Sequence, residues 1–84
     1  ENGFFLDTLG WVEFKRKNYN KAVFFLEKSV SILPISAVVL DHLGDCYLML
    51  NRKNEAIFEW KKAIKYETNV NIIKNIQDKI KKNE

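Results

Sequence analysis

LDTLGW at residues 6–11 and LDHLGD at residues 40–45 share four of six residues at an offset of 34 positions. Shifting the whole chain by 34 extends the match. Ala22 falls on Ala56, Phe24 on Phe58 and Lys28 on Lys62. Apolar character persists where identity lapses, as in Val23 and Ile57, Leu26 and Trp60, and Val30 and Ile64. A period of roughly 20–50 residues marks units that stack, because each is too small to bury its apolar face alone.

Inside each unit the apolar spacing is helical. Ala22, Leu26, Val30 and Leu33 recur at intervals of four, four and three, one face of a helix. Leu6, Leu9, Gly10 and Phe14 do the same before them, and Leu40, Leu43, Gly44, Tyr47 and Leu48 after them. KRKN (15–18) and NRKN (51–54) are polar breaks. Pro34 ends the second segment, since the residue before a proline is pushed out of helical geometry. Ser36 then caps the next helix with its hydroxyl. The reading is five helices, at about 3–15, 19–33, 37–50, 54–67 and 70–82, with no sheet, because no stretch has a period of two.

Glycine inside a helix costs about 1 kcal/mol against alanine, so Gly10 and Gly44 at one phase require a reason. Close approach of the paired helix supplies it, with Ala22 and Ala56 as the small residues facing the two glycines. The tail from Asn71 onward predicts an amphipathic helix whose apolar stripe is Ile72, Ile73, Ile76 and Ile80. Its polar outer side suits the cap of a stacked array.

Composition bounds the class. The 84 residues, 46% hydrophobic and 30% charged, read as one soluble globular unit over 1–84, near the lower size limit for a core without staples. No apolar run approaches the length of a membrane helix, and no signal peptide opens the chain. The first residue is Glu1 and not Met, which suggests a piece of something longer. Cys46, the single cysteine, excludes an internal disulfide and a cysteine-rich zinc module, and suits cytoplasm and periplasm equally. Net charge is +3, with Glu1, Asp7 and Glu13 acidic at one end and Lys74, Lys79, Lys81 and Lys82 basic at the other.

The repeat resembles the tetratricopeptide unit, a 34-residue helix–turn–helix with Trp, Leu-Gly, Tyr, Ala, Phe and Pro at fixed offsets. The first unit, about 3–36, matches at Leu9, Gly10, Ala22 and Pro34, with Leu6 and Leu26 as apolar substitutes for Trp and Phe. The second, about 37–70, matches at Leu43, Gly44, Tyr47 and Ala56, with Leu40 and Trp60 as substitutes. Glu13 stands in place of the tyrosine and Thr68 in place of the final proline. The wording DTLGW and DHLGD is similar to terminal repeats of bacterial members of this family. The resemblance implies an all-α, right-handed α-solenoid: two helix-turn-helix repeats and a C-terminal capping helix at about 70–82.

It also implies a concave groove, lined by the first helix of each unit, that holds an extended peptide or a partner helix. Carried onto this chain, the lining is Phe4, Asp7, Trp11 and Phe14, then Val38, Asp41, Asp45 and Leu48. Asp41 and Asp45, four apart, are a like-charge pair that costs a helix a few tenths of a kcal/mol, so about 0.2–0.5, and Asp7 repeats the acid at the phase of Asp41. Such a groove suits a basic or mixed apolar peptide. Solvated aspartates and a core Trp11 are the alternative. The carboxylate clamp of some family members has the wrong charge here, with Asp7, Trp11 and His42 at its positions.

Phe24 and Phe58 share a phase that is polar and outward in the family, so they are a possible outer contact, with Phe25 beside the first. The alternative is cover from Tyr19 or Lys62. Phe4, Phe5 and Trp11 crowd the first helix, where a preceding repeat or a second copy would cover them. His42 and Cys46 have a helical i, i+4 spacing but fall short of the three or four ligands a transition metal needs, so no metal or other cofactor is expected. The lysines are interleaved with acids and form no continuous basic face, which argues against nucleic acid. No nucleophile–base pair, phosphate loop or metal motif supports an enzyme. Protein–protein recognition by a scaffold is the expected function. The competing expectations are a structural end to a longer array and a self-association module.

Overall fold

The computed structural model describes residues 2–84; Glu1, counted above among the N-terminal acids, lies outside them. Five helices follow one another: α1 (Gly3–Lys15), α2 (Tyr19–Ile32), α3 (Ala37–Met49), α4 (Lys53–Tyr66) and α5 (Val70–Asn83). No strand occurs among the described residues. All five agree with the sequence periodicity to within one residue at each end. α1 packs along α2 and α3 along α4, and the hairpins stack through α2 on α3 and α1 on α3. α5 lies on α4, as α3 lies on α2. These contacts fit a helical repeat.

The repeat extends into the backbone of the turns. Lys17 and Asn51, 34 apart, both hold a left-handed conformation, with φ of 66° and 60°. In the first turn Lys17 N–H bonds the Phe14 carbonyl at 2.9 Å and Asn18 N–H the Glu13 carbonyl at 2.9 Å. In the second, Asn51 N–H bonds Leu48 at 3.0 Å and Arg52 N–H bonds Tyr47 at 2.9 Å. This paired closure satisfies carbonyls that a helix end would otherwise leave open. Asparagine tolerates the left-handed region better than lysine does, so the first turn carries more strain.

One core runs through both hairpins into α5. Ala22, Leu26, Val39, Leu40, Cys46, Ala56, Trp60, Ala63 and Ile76 are all buried within it. The glycine notches work differently from the sequence expectation. A Cβ on Gly10 would lie 2.7 Å from Leu26 Cγ and 3.2 Å from the Ala22 carbonyl oxygen. On Gly44 it would come within 3.0 Å of three atoms of the Trp60 indole. Leu26 and Trp60, at equivalent positions, fill the notches; the Ala22 backbone also closes on Gly10 as expected, whereas the atoms nearest Gly44 all belong to Trp60 and not to Ala56. Real cores have no slack for such an atom.

Helix starts also differ in part. Asn2 accepts from the backbone N–H of Phe4 and Phe5, and Asn69 from those of Asn71 and Ile72. Ser36 occupies the cap position with extended backbone, but its hydroxyl makes no capping bond. Ser29, unremarked in the sequence, is fully buried and donates to the Gly3 carbonyl at 2.6 Å, tying α2 to the start of α1. In α5, Ile76 and Ile80 enter the core and Ile73 is half-buried, while Ile72 stays 41% exposed. No helix among the described residues is long and apolar enough to cross a membrane.

Candidate functional site

α1 and α3 are the first helices of the two hairpins, and their neighbouring faces carry most of the expected lining. Asp7 on α1 and Asp41 on α3, one repeat apart, each reach forward to a base on the next first-position helix. Asp7 Oδ1 is 2.8 Å from His42 Nδ1. Asp41 Oδ1 accepts from Lys79 Nζ on α5 at 2.6 Å, and Asp45 Oδ1 from the same ammonium at 2.8 Å. Asp45 also accepts from Trp60 Nε1 at 3.2 Å. The recurring acids therefore clamp successive units, and the Asp41–Asp45 repulsion is relieved by a shared cation.

Burial counts for more than Lys79 at Asp45, and the carboxyl sits above its ordinary range. Burial works to lower Lys79, but the bonds it donates to Asp41 and Asp45 outweigh that and hold the ammonium above its ordinary value. The lysine gains from the arrangement while Asp45 stays incompletely compensated. Burial is the main cause of the rise at Asp45, and the neighbouring Asp41 charge adds to it in the same direction.

Around His42 the first half of the face is aromatic. Trp11 stacks on His42 at 3.9 Å between centroids and on Phe14 at 4.4 Å, and Lys15 Nζ stands 5.4 Å from the Trp11 ring. Trp11 remains half-buried. It opens on a cavity of about 410 Å³ whose other walls are Asp7, Thr8, Val12, Lys15, Arg16 and His42. A second cavity, also about 410 Å³, lies between α3 and α5, with Val38 and Ile72 as its exposed apolar walls and Asp41 and Lys79 beside them.

The structure thus brings Asp7 and Trp11 to one cavity and Val38 and Asp41 to another, with Asp45 behind the Lys79 clamp. Phe14 and Leu48 pack on the core and line neither cavity. Phe4 is 57% exposed on α1 and also lines neither. Glu13 accepts from Asn18 Nδ2 at 2.9 Å and braces the turn. Its repeat equivalent Tyr47 donates to Glu27 at 2.6 Å, with the Arg52 guanidinium 4.4 Å above its ring. Burial, then the bond to Glu27, holds the Tyr47 phenol well above its usual range.

Cys46 is fully buried, and that burial, helped by the charges of Asp45 and Asp7, pushes its thiol up to about 12. Among the described residues no group of three or more His, Cys, Asp or Glu could hold a metal ion. The sequence placed His42 at a clamp position of the groove without pairing it to Asp7, and gave Lys79, Lys15 and Arg16 no place on this face. A signal existed for the first two: Lys79 lies 34 residues after Asp45, and His42 lies 35 after Asp7. Comparison with known proteins finds no matching family model and no matching curated protein.

Proposed function

We propose that the chain is a tetratricopeptide-like, right-handed solenoid segment that recognises another protein through the inner face of α1 and α3. The observation that carries this reading is the half-exposed Trp11, stacked between groups of its own chain and open on a cavity rimmed by Val12, Lys15 and Arg16. A rigid aromatic beside a concavity is the usual anchor of a protein interface. Asp7 is engaged by His42, and Asp41 and Asp45 by Lys79, so these acids support the scaffold more than they offer charge to a basic peptide. The favoured occupant is an extended or helical segment that places one apolar side chain against Trp11. Selecting a displayed random-peptide library on the protein tests this. Trp11→Ala should lose the selected peptides, whereas Asp45→Asn should keep them; binders indifferent to Trp11 would reject the site.

A second reading has its own observation. Phe4 and Phe5 are 57% and 61% exposed on α1, at the opposite end of the stack from α5. A further hairpin, or a second copy, would cover them. Sedimentation at two concentrations separates self-association from the peptide-binding reading.

A further inference from the structure

The second helices of the hairpins carry an outer surface that the inner face does not explain. Phe24 on α2 and Phe58 on α4 stand one repeat apart and are 56% and 61% exposed. Each has a lysine ammonium over its ring, Lys28 at 5.1 Å and Lys62 at 5.0 Å, and those lysines are also one repeat apart. The same exposed aromatic–cation pair is therefore built twice. Neither phenylalanine contributes to the core.

The charge of these two helices is one-sided. They carry six lysines against three glutamates. Each glutamate already has a partner in its own chain. Glu27 accepts from Tyr47 at 2.6 Å. Glu55 takes two bonds from Arg52 at 2.7 Å. Glu59 is buried, with Lys62 Nζ 3.2 Å from its Oε1, an ion pair by distance whose angle makes no hydrogen bond. On α4, Phe58, Lys61, Lys65 and Tyr66 follow helical spacing along one exposed strip, and Lys65 Nζ lies 5.5 Å from the Tyr66 ring.

We propose that this outer surface of α2 and α4 binds an acidic protein segment that bears apolar side chains. The phenylalanines contact the apolar groups, and the exposed Lys61 and Lys65 pair with its carboxylates. Charge complementarity selects the occupant: a basic segment would meet the exposed Lys61 and Lys65, and the neighbouring glutamates are engaged within the chain. The aromatic–lysine pair recurs once per repeat, so a segment of matching period touches both phenylalanines; Lys61 and Lys65 align with Glu27 and Ser31 on α2, so the charged contacts lie on α4. This surface is distinct from the Trp11 cavity and does not depend on it.

The probe is a fluorescein-labelled synthetic peptide of alternating glutamate and leucine, with a lysine–leucine peptide as control, followed by anisotropy. The glutamate peptide should bind and the lysine peptide should not. Phe24→Ser with Phe58→Ser should weaken binding by about tenfold or more, as truncation of interface aromatics does. Lys61→Glu with Lys65→Glu should weaken it similarly, and added salt should weaken wild-type binding. Trp11→Ala should leave it unchanged. Unaltered helicity of each variant, read by circular dichroism, keeps the comparison valid. Absence of glutamate-peptide binding to the wild type, or loss through Trp11→Ala alone, would overturn the proposal. So would binding to phosphatidylserine vesicles through these lysines with no binding of the peptide.

Discussion

Replacing Lys79 by methionine removes one charge and keeps most of the stem. In the native protein that charge lies 2.6 Å from Asp41 and 2.8 Å from Asp45, and the lysine side chain is 33% exposed. A hydrogen bond to a charged group contributes about 1.5–3 kcal/mol, and breaking a buried pair costs more because the partner is stranded. Partial exposure reduces both effects, so about 1–2 kcal/mol is expected at neutral pH. With a urea slope of about 1 kcal/mol per M, the unfolding midpoint should fall by about 1–2 M.

The deficit has a pH signature. Burial already raises Asp45 in the native fold, and without Lys79 it rises further. A carboxyl raised on folding favours the native state most below its unfolded pKa, and that benefit is lost as pH rises through the folded value. The Lys79→Met deficit should therefore shrink on acidification from neutral pH toward the ordinary carboxylate range. Asp41→Asn in the same chain should recover part of the loss. A variant as stable as the wild type at neutral pH, or a deficit that grows on acidification, would refute the clamp.

Gly44→Ala gains helix propensity of about 1 kcal/mol but drives a methyl into the Trp60 indole, so a net loss of about 1–2 kcal/mol is expected by urea titration. Lys17→Gly should stabilise by about 0.5–1 kcal/mol, because φ of 66° strains a lysine; a destabilised variant would show that the turn needs the side chain. Cys46, buried and with its thiol pushed up to about 12, should react with a thiol reagent at the rate of unfolding, and fast labelling of the native protein would contradict its placement.

The helices were legible because they rest on local periodicity and punctuation. KRKN and NRKN mark the hairpin turns, and Pro34 the break between units. The glycine notches were legible as notches, but their occupants depend on which side chain the partner helix rotates inward. Leu26 and Trp60 were visible as a register pair, not as the groups that fill the space. Asp7 and Asp41 showed a shared phase, which a solvent-facing groove and an inter-unit clamp explain equally well. Only the stacking of the units decides between them, by bringing His42 of α3 to Asp7 and Lys79 of α5 to Asp41. Such a contact depends on how units stack, and no single helix encodes it. Ser36 illustrates a smaller limit: its position is that of a cap, but the rotamer that would make the bond is not adopted.

The central claim is that the two glycine-notched hairpins hold each other up through one continuous core. Circular dichroism of residues 1–36 and 37–84 as separate peptides, beside the whole chain, tests it most directly. The whole chain should be helical and unfold in one cooperative step, while each piece alone loses most of its helix. A piece that folds by itself with the midpoint of the intact protein would contradict the account.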